Sequence, residues 1–463
     1  MQFMFPLLTL AALALPLAPA HPMSENKPRT LPPSIDPFYR PPSGFESKAP
    51  GSILRQRRIA AALFGFIPQP IEAYQLLYRT NAIDGSPIAT VTTIFKPLHA
   101  KKDSFVSLQT AYDSTASICN PSYNYQLGAL QTDIISSLEQ IIMQAYLLSG
   151  YIVAAADYEG PDAAFLPGHL EGMGVLDGMR AVVNFRAKLG LSDNPKIVGT
   201  GYSGGAVATG WAAGLQSSYA PDLNVKGWVA GGTPANLTAT FMNLDGTIFS
   251  GFLPAGLAGF LKPSAYGAQL QPVFDEILTP NGKRIIDISN KQCIVGNLLA
   301  FPQTSILSTE FQTLGPGLFE HPVVSDIMGK HVMGVYKNET PVAPVFLYHA
   351  PDDEIVPYHD AGILVDRWCG YGASVDFLTV AAGGHFTTEI LGVPDAVRFT
   401  ANAFEGKLAA GCSTRTSYND TLNPIALGVQ LEPVLASLLQ MLANIGKKDA
   451  SIKQDLTKLG RRS

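Results

Sequence analysis

The stretch Gly199-Thr200-Gly201-Tyr202-Ser203-Gly204-Gly205 sets one serine among four glycines, directly after the strand-like run Lys196-Ile197-Val198. A strand that ends in Gly-x-Ser-x-Gly and turns sharply into a helix exposes the serine hydroxyl as a nucleophile elbow. The competing reading is a turn of small residues where a helix packs closely on a sheet. An elbow needs company: a base to take the hydroxyl proton, an acid to orient that base, and a sheet to carry all three.

The sheet can be read outward from the serine. Strand-like runs occupy 74–78, 89–95, 105–109, 151–156, 225–230, 345–349 and 375–380, and helical stretches 134–148, 172–189 and 204–218 fall between them. Short apolar strands alternating with helices predict a mostly parallel sheet covered on both faces, an α/β fold. The alternation lapses between 235 and 341, where Phe249, Phe252, Leu253, Leu257 and Phe260 crowd a helical stretch. It reads as a helical cap, or lid, inserted over the C-terminal edge of the sheet, with extra core helices as the alternative. The core then comprises 21–234 and 342–430, and its Pro-rich start, 21 to about 55, reads as an extended arm.

Asp353, in Pro351-Asp352-Asp353-Glu354, and His385, in Gly383-Gly384-His385-Phe386, each follow directly on a late strand. The chain order Ser203, Asp353, His385 is that of α/β-hydrolases, and the 385 − 353 = 32 residues between acid and base hold one helix and one strand. On spacing alone Asp352 competes with Asp353. His169, His321, His331, His349 and His359 lack this context and read as structural.

Composition removes other classes. With 46% hydrophobic and 15% charged residues the chain can bury a sizeable core. A net charge of −5 leaves no basic footprint for nucleic acid. Residues 1–20 join a short apolar core to Ala18-Pro19-Ala20, the pattern of a secretory signal peptide. Later apolar stretches are too short and too rich in Gly and Pro to cross a bilayer, so a secreted, extracellular protein without a transmembrane segment is expected. Cys119, Cys293, Cys369 and Cys412 fit two disulfides in an oxidising compartment, and the residues alone leave three pairings open. Asn236, Asn338 and Asn419 head glycan acceptor triplets. No metal-ligand spacing occurs.

One resemblance covers nearly everything from residue 36 to about 412. Asp36-Pro37-Phe38-Tyr39, Cys119-Asn120-Pro121-Ser122-Tyr123, Gly201-Tyr202-Ser203-Gly204-Gly205, Ser218-Tyr219-Ala220-Pro221, Gly231-Gly232-Thr233-Pro234, Asp353-Glu354-Ile355-Val356-Pro357 and His385 with Thr388-Glu389-Ile390 follow one another in the chain. In these stretches the sequence resembles the fungal secretory lipases of the lipase A type, members of the α/β-hydrolase superfamily. The resemblance implies Ser203 as nucleophile, His385 as base and Asp353 as the acid, since the family's acid stands immediately before Glu-Ile-Val-Pro. It also implies an oxyanion hole formed by Asp113, of the pair Tyr112-Asp113, and the backbone N–H of Gly204. Disulfides Cys119–Cys293 and Cys369–Cys412 are expected. No cofactor is implied, and the expected partner of a monomeric enzyme is an acylglycerol or other ester at a lipid–water interface. From 431 to 463 an apolar stripe followed by a basic tail departs from the family and could touch lipid or simply pack. Three readings follow: a secreted triacylglycerol lipase; a secreted carboxylesterase or serine peptidase of the same fold; a non-catalytic secreted binding module.

Overall fold

The computed structural model describes residues 30–418. The signal-like segment 1–20, the Asn419 triplet and the tail 431–463 lie outside the described residues. Ten strands form one sheet: β1 (Ile53–Ile59), β2 (Glu72–Asn81), β3 (Pro87–Lys96), β4 (Ser104–Gln109), β5 (Ile152–Ala156), β6 (Lys196–Tyr202), β7 (Val225–Gly231), β8 (Val345–His349), β9 (Val375–Val380) and β10 (Ser413–Ser417). Their order is β1-β2-β3-β5-β4-β6-β7-β8-β9-β10. The first three strands pair antiparallel, as do β3 and β5, and every pair from β5 onward is parallel.

Alternation along the strands shows why both faces must be covered. Ile197, Trp228 and Leu347 pack into one apolar cluster, while their chain neighbours Val198, Val229 and Phe346 pack into another. Successive side chains point to opposite faces, so a strand apolar at every position needs helices on both. Helices α1 (Ile134–Leu148) and α11 (His385–Glu405) pack on one face. Helices α2 (Gly168–Asn184), α3 (Gly204–Tyr219) and α10 (Tyr358–Gly370) pack on the other. Helix α2 starts four residues earlier than the sequence pattern suggests. Pro167 stands at its N-cap, and Glu171 accepts the Leu166 N–H at 2.7 Å, satisfying a donor just ahead of the helix.

Between β7 and β8 run α4 (Leu237–Leu244), α5 (Phe252–Phe260), α6 (Gly267–Ile277), α7 (Pro280–Ser289), α8 (Ile294–Ala300) and α9 (Pro322–Gly329). They share the apolar cluster of α2 and α3 and are tied to the segment that follows β4 by Cys119–Cys293. A second disulfide, Cys369–Cys412, joins α10 to the start of β10. The expected extended arm is anchored where it is described. Asp36 accepts the Phe38 N–H at 2.9 Å and pairs with Arg57 at 2.6 Å. A short separate hairpin, Ala62–Leu63 with Ile67–Pro68, lies beside α1. None of the described helices is long and apolar enough to cross a membrane.

Candidate active site

The opening glycines follow from crowding at the β6–α3 junction. A Cβ on Gly205 would meet the Gln109 carbonyl oxygen at 2.0 Å, so only glycine lets the first turn of α3 lie against β4. Ser203 itself stands at φ 53°, ψ −120°, backbone that a residue with a side chain adopts at a cost of roughly 1–3 kcal/mol. The sharp turn lifts its hydroxyl off the C-terminal edge of the sheet.

His385 opens α11, and its Nε2 lies 2.8 Å from Ser203 Oγ. Its Nδ1 lies 2.7 Å from Asp353 Oδ2, which fixes the tautomer that leaves Nε2 free to take a proton. The ring is held by its own backbone as well: its N–H donates to Glu354 Oε2 at 2.8 Å, and its carbonyl accepts the Tyr202 hydroxyl at 2.6 Å. Asp353 Oδ1 accepts the N–H groups of Ile355 (2.9 Å) and Val356 (2.7 Å). Asp352 is exposed and is not brought to His385. A second imidazole that the sequence reading set aside, His349 at the end of β8, places Nε2 3.0 Å from Asp353 Oδ2.

These contacts set the charges. Burial alone would push the Asp353 carboxyl up, but His385 and His349 together hold it well below the usual carboxylate range. Burial alone would pull His385 down, but Asp353, with Glu354 and Glu389, raises it above an ordinary imidazole.

Asp113 follows β4 at φ 48° and packs against Gly204, where an added Cβ would run into its Oδ1. That oxygen is buried and has no hydrogen-bond partner. Burial, reinforced by the charges of Asp133 and Glu389 and opposed by His385, raises the Asp113 carboxyl to about 7. The Gly204 N–H is the leading donor of α3, one of those that no helix satisfies internally. The Asp113 carboxyl and Gly204 line the same cleft as Ser203.

Further acids surround the site. Glu139 on α1 and Glu389, one turn into α11, hydrogen-bond to each other along the wall of the cleft. Burial and the neighbouring Glu389 push Glu139 far up, and burial takes Glu389 to about 7, so the two share protons as a pair. Burial likewise raises Glu159 and Glu171 well above the ordinary range, Asp157 to about 7 and Asp133 to about 6.

Two clefts meet at Ser203. The larger, about 660 Å³, is walled by Ile135, Leu138 and Ile142 of α1 and by Ile294 and Leu298 of α8. The smaller, about 410 Å³, runs between Phe165, Leu166, Leu237, Phe241 and Leu253. Phe252 borders both. Neither cleft is lined by Lys or Arg.

Of the glycan acceptor residues, Asn338 is exposed, whereas Asn236 caps α4 and donates its amide to Asp360 at 3.1 Å. A sugar on that nitrogen would replace one of its two hydrogens beside Asp360.

A sequence model described as "Secretory lipase" matches residues 125–411. The chain belongs to the secretory lipase family. It is 41% identical over 408 residues to a secreted triacylglycerol lipase of Malassezia furfur, covering 87% of this chain and 83% of that one. A second such lipase, from Malassezia restricta, is 39% identical over 94% of this chain and 93% of its own. Among solved structures, Candida antarctica lipase A in its closed state superposes with a TM-score of 0.80 at 31% identity, covering 88% of this chain and 96% of the other. The fold is that of the α/β-hydrolases, and this member of the secretory lipase family is a lipase.

Proposed function

We propose that the protein is a secreted lipase that hydrolyses triacylglycerols through an acyl-enzyme on Ser203. The observation that carries this reading is the Ser203–His385–Asp353 chain of contacts, at 2.8 and 2.7 Å, set where two apolar clefts meet. Ser203 Oγ attacks the ester carbonyl while His385 Nε2 takes its proton, and Asp353 stabilises the imidazolium that forms. The negative charge on the former carbonyl oxygen is met by the Gly204 N–H and by the protonated Asp113 carboxyl. Each such donor contributes about 3–4 kcal/mol of transition-state stabilisation. His385 then returns the proton to the departing glycerol oxygen. Water, activated by the same imidazole, releases the fatty acid and restores Ser203.

The clefts give the substrate class physical support. Acyl chains gain roughly 0.8 kcal/mol per buried methylene, and apolar walls on either side of Ser203 can take chains from both sides of one ester. A peptidase of this fold needs charged groups to grip a peptide terminus, whereas most of the residues that line the two clefts are apolar. Helices α4–α9 bring Phe252, Leu253 and Leu298 to the clefts and act as the cap in this reading. The test compares emulsified triolein with a dipeptide amide. The wild type should release oleate and leave the amide intact, and Ser203→Ala should lower the release about 10⁴-fold or more without loss of folding. Cleavage of the amide alone, or an unimpaired Ser203→Ala, overturns the reading.

A further inference from the structure

The short hairpin beside α1 is built to hold apolar side chains in water. Phe66 is 71% exposed, Ile67 44% and Leu130, on the adjoining loop, 53%. An isolated exposed apolar residue needs no explanation, but three large ones on two touching segments do. The touching is explicit. Ala62 donates its N–H to the Tyr125 carbonyl (2.9 Å), Leu127 to Ala60 (2.8 Å) and Gly128 to Gly65 (2.8 Å). The Phe64 N–H is held by Ser137 Oγ of α1 at 3.2 Å. Phe64 itself sits at φ 52°, a conformation costly for a bulky side chain and kept only where surroundings impose it. The tip is thus pinned at several points, and it presents Phe66 outward instead of folding it away.

The same hairpin continues the wall of the larger cleft. Leu63 and Phe64 pack in one cluster with Leu138 and Ile142, the residues of α1 that face Ser203 across the cleft. The Phe64 and Phe66 rings lie 6.4 Å apart. An apolar path therefore runs from the exposed tip through Phe64 to the cleft. Segments 60–71 and 125–138 carry no Lys, Arg or Glu and a single Asp, Asp133, which is buried. A surface meant for an anionic membrane would carry cations. This one matches an uncharged surface.

We infer that the 62–68 hairpin with Leu130 is the surface by which the protein settles on neutral acylglycerol droplets, delivering the mouth of the larger cleft to the lipid. The inference rests on the lipase reading above for the purpose of the surface, yet its test does not require turnover. In a Ser203→Ala background, flotation with triolein emulsion reads partitioning directly. Phe66→Ser with Leu130→Ser should weaken it about tenfold or more. The control is Leu98→Ser, which removes an 80% exposed leucine from the loop before β4, at the sheet edge opposite Ser203, and should leave partitioning unchanged. With Ser203 intact, the double variant should lose about as much activity on emulsified triolein and stay within about twofold of wild type on dissolved p-nitrophenyl acetate. Unchanged partitioning, an equal loss on both substrates, an equal effect of Leu98→Ser, or a preference for phosphatidylserine vesicles over triolein droplets would each overturn the inference. A protein that partitions through this hairpin but cleaves no triolein would defeat the lipase reading and uphold the surface.

Discussion

In the proposed mechanism, Asp113 is the residue whose ionisation sets how the site responds to alkali. A carboxylate facing an oxyanion repels it, so Asp113 assists only while protonated, and its pKa of about 7 places the loss of that proton near neutrality. His385 imposes the opposite demand: it must be neutral, and its raised pKa brings the acid limb up toward the alkaline one. The wild type should show a narrow bell. Asp113→Asn keeps a donor and cannot ionise, so its activity, lower overall, should no longer fall as pH rises through about 7. A kcat/KM profile from pH 4 to 10 measures this, and an alkaline limb identical to wild type would remove Asp113 from the oxyanion site. Ser203, Asp353 and His385 could be found in the chain because each sits just past a strand, and strand ends can be read locally. The choice of Asp353 over Asp352 needed the family's Glu-Ile-Val-Pro. His349 was missed because a strand histidine carries no local mark of function. The available signal was its place as the last residue of β8, at the same sheet edge as Ser203. Glu139 was illegible for a different reason: it meets Glu389 across 250 residues of chain (389 − 139), and no short pattern encodes such a contact.

At the scale of elements, the Cys119–Cys293 bond is the covalent tie between the loop beyond Asp113 and the helices inserted between β7 and β8. It closes a loop of 174 residues, for which the chain-entropy relation gives about 5 kcal/mol as an upper value. Replacing both cysteines with serine should lower stability by about 3–5 kcal/mol. Hydrogen exchange should quicken first in Ile294–Ala300, the helix that follows Cys293 and walls the larger cleft. Exchange rising evenly over the whole sheet would deny the bond this local role. Most elements were legible as such. Strands β2 to β9 are apolar enough to stand out, whereas β1, with Arg55, Arg57 and Arg58, and β10, Ser413-Thr414-Arg415-Thr416-Ser417, are polar edges without the usual signature. Edge strands are charged or polar because an apolar edge invites pairing with another chain. They were invisible for the same reason that they are safe.

At the scale of the whole molecule, burial has raised the pKa of many carboxyls, among them Asp113, Asp133, Glu139, Asp157, Glu159, Glu171 and Glu389. A carboxyl whose pKa is raised on folding lends stability that is complete below its unfolded value, near 4, and drains away as pH climbs through the folded value. Each such group costs about 1.4 kcal/mol per pH unit over that interval. His331 works the other way, since burial lowers it to about 3 and protonation below about 6.5 favours unfolding, but it is one group against seven. Asp353, held low by its imidazoles, withdraws its own contribution only in strong acid. The melting temperature should therefore be higher at pH 5 than at pH 8 by about 5 °C or more, and equal or reversed values in calorimetry would show these acids to be ionised in the fold. Every ester cut by such an enzyme becomes a carboxylic acid, and above the pKa of that acid each turnover sheds a proton into the surrounding film. A drift toward acid is therefore expected to protonate His385 and slow the chemistry while the same protons stabilise the scaffold. Activity lost as fatty acid accumulates should therefore return when the film is neutralised, with the fold still in place.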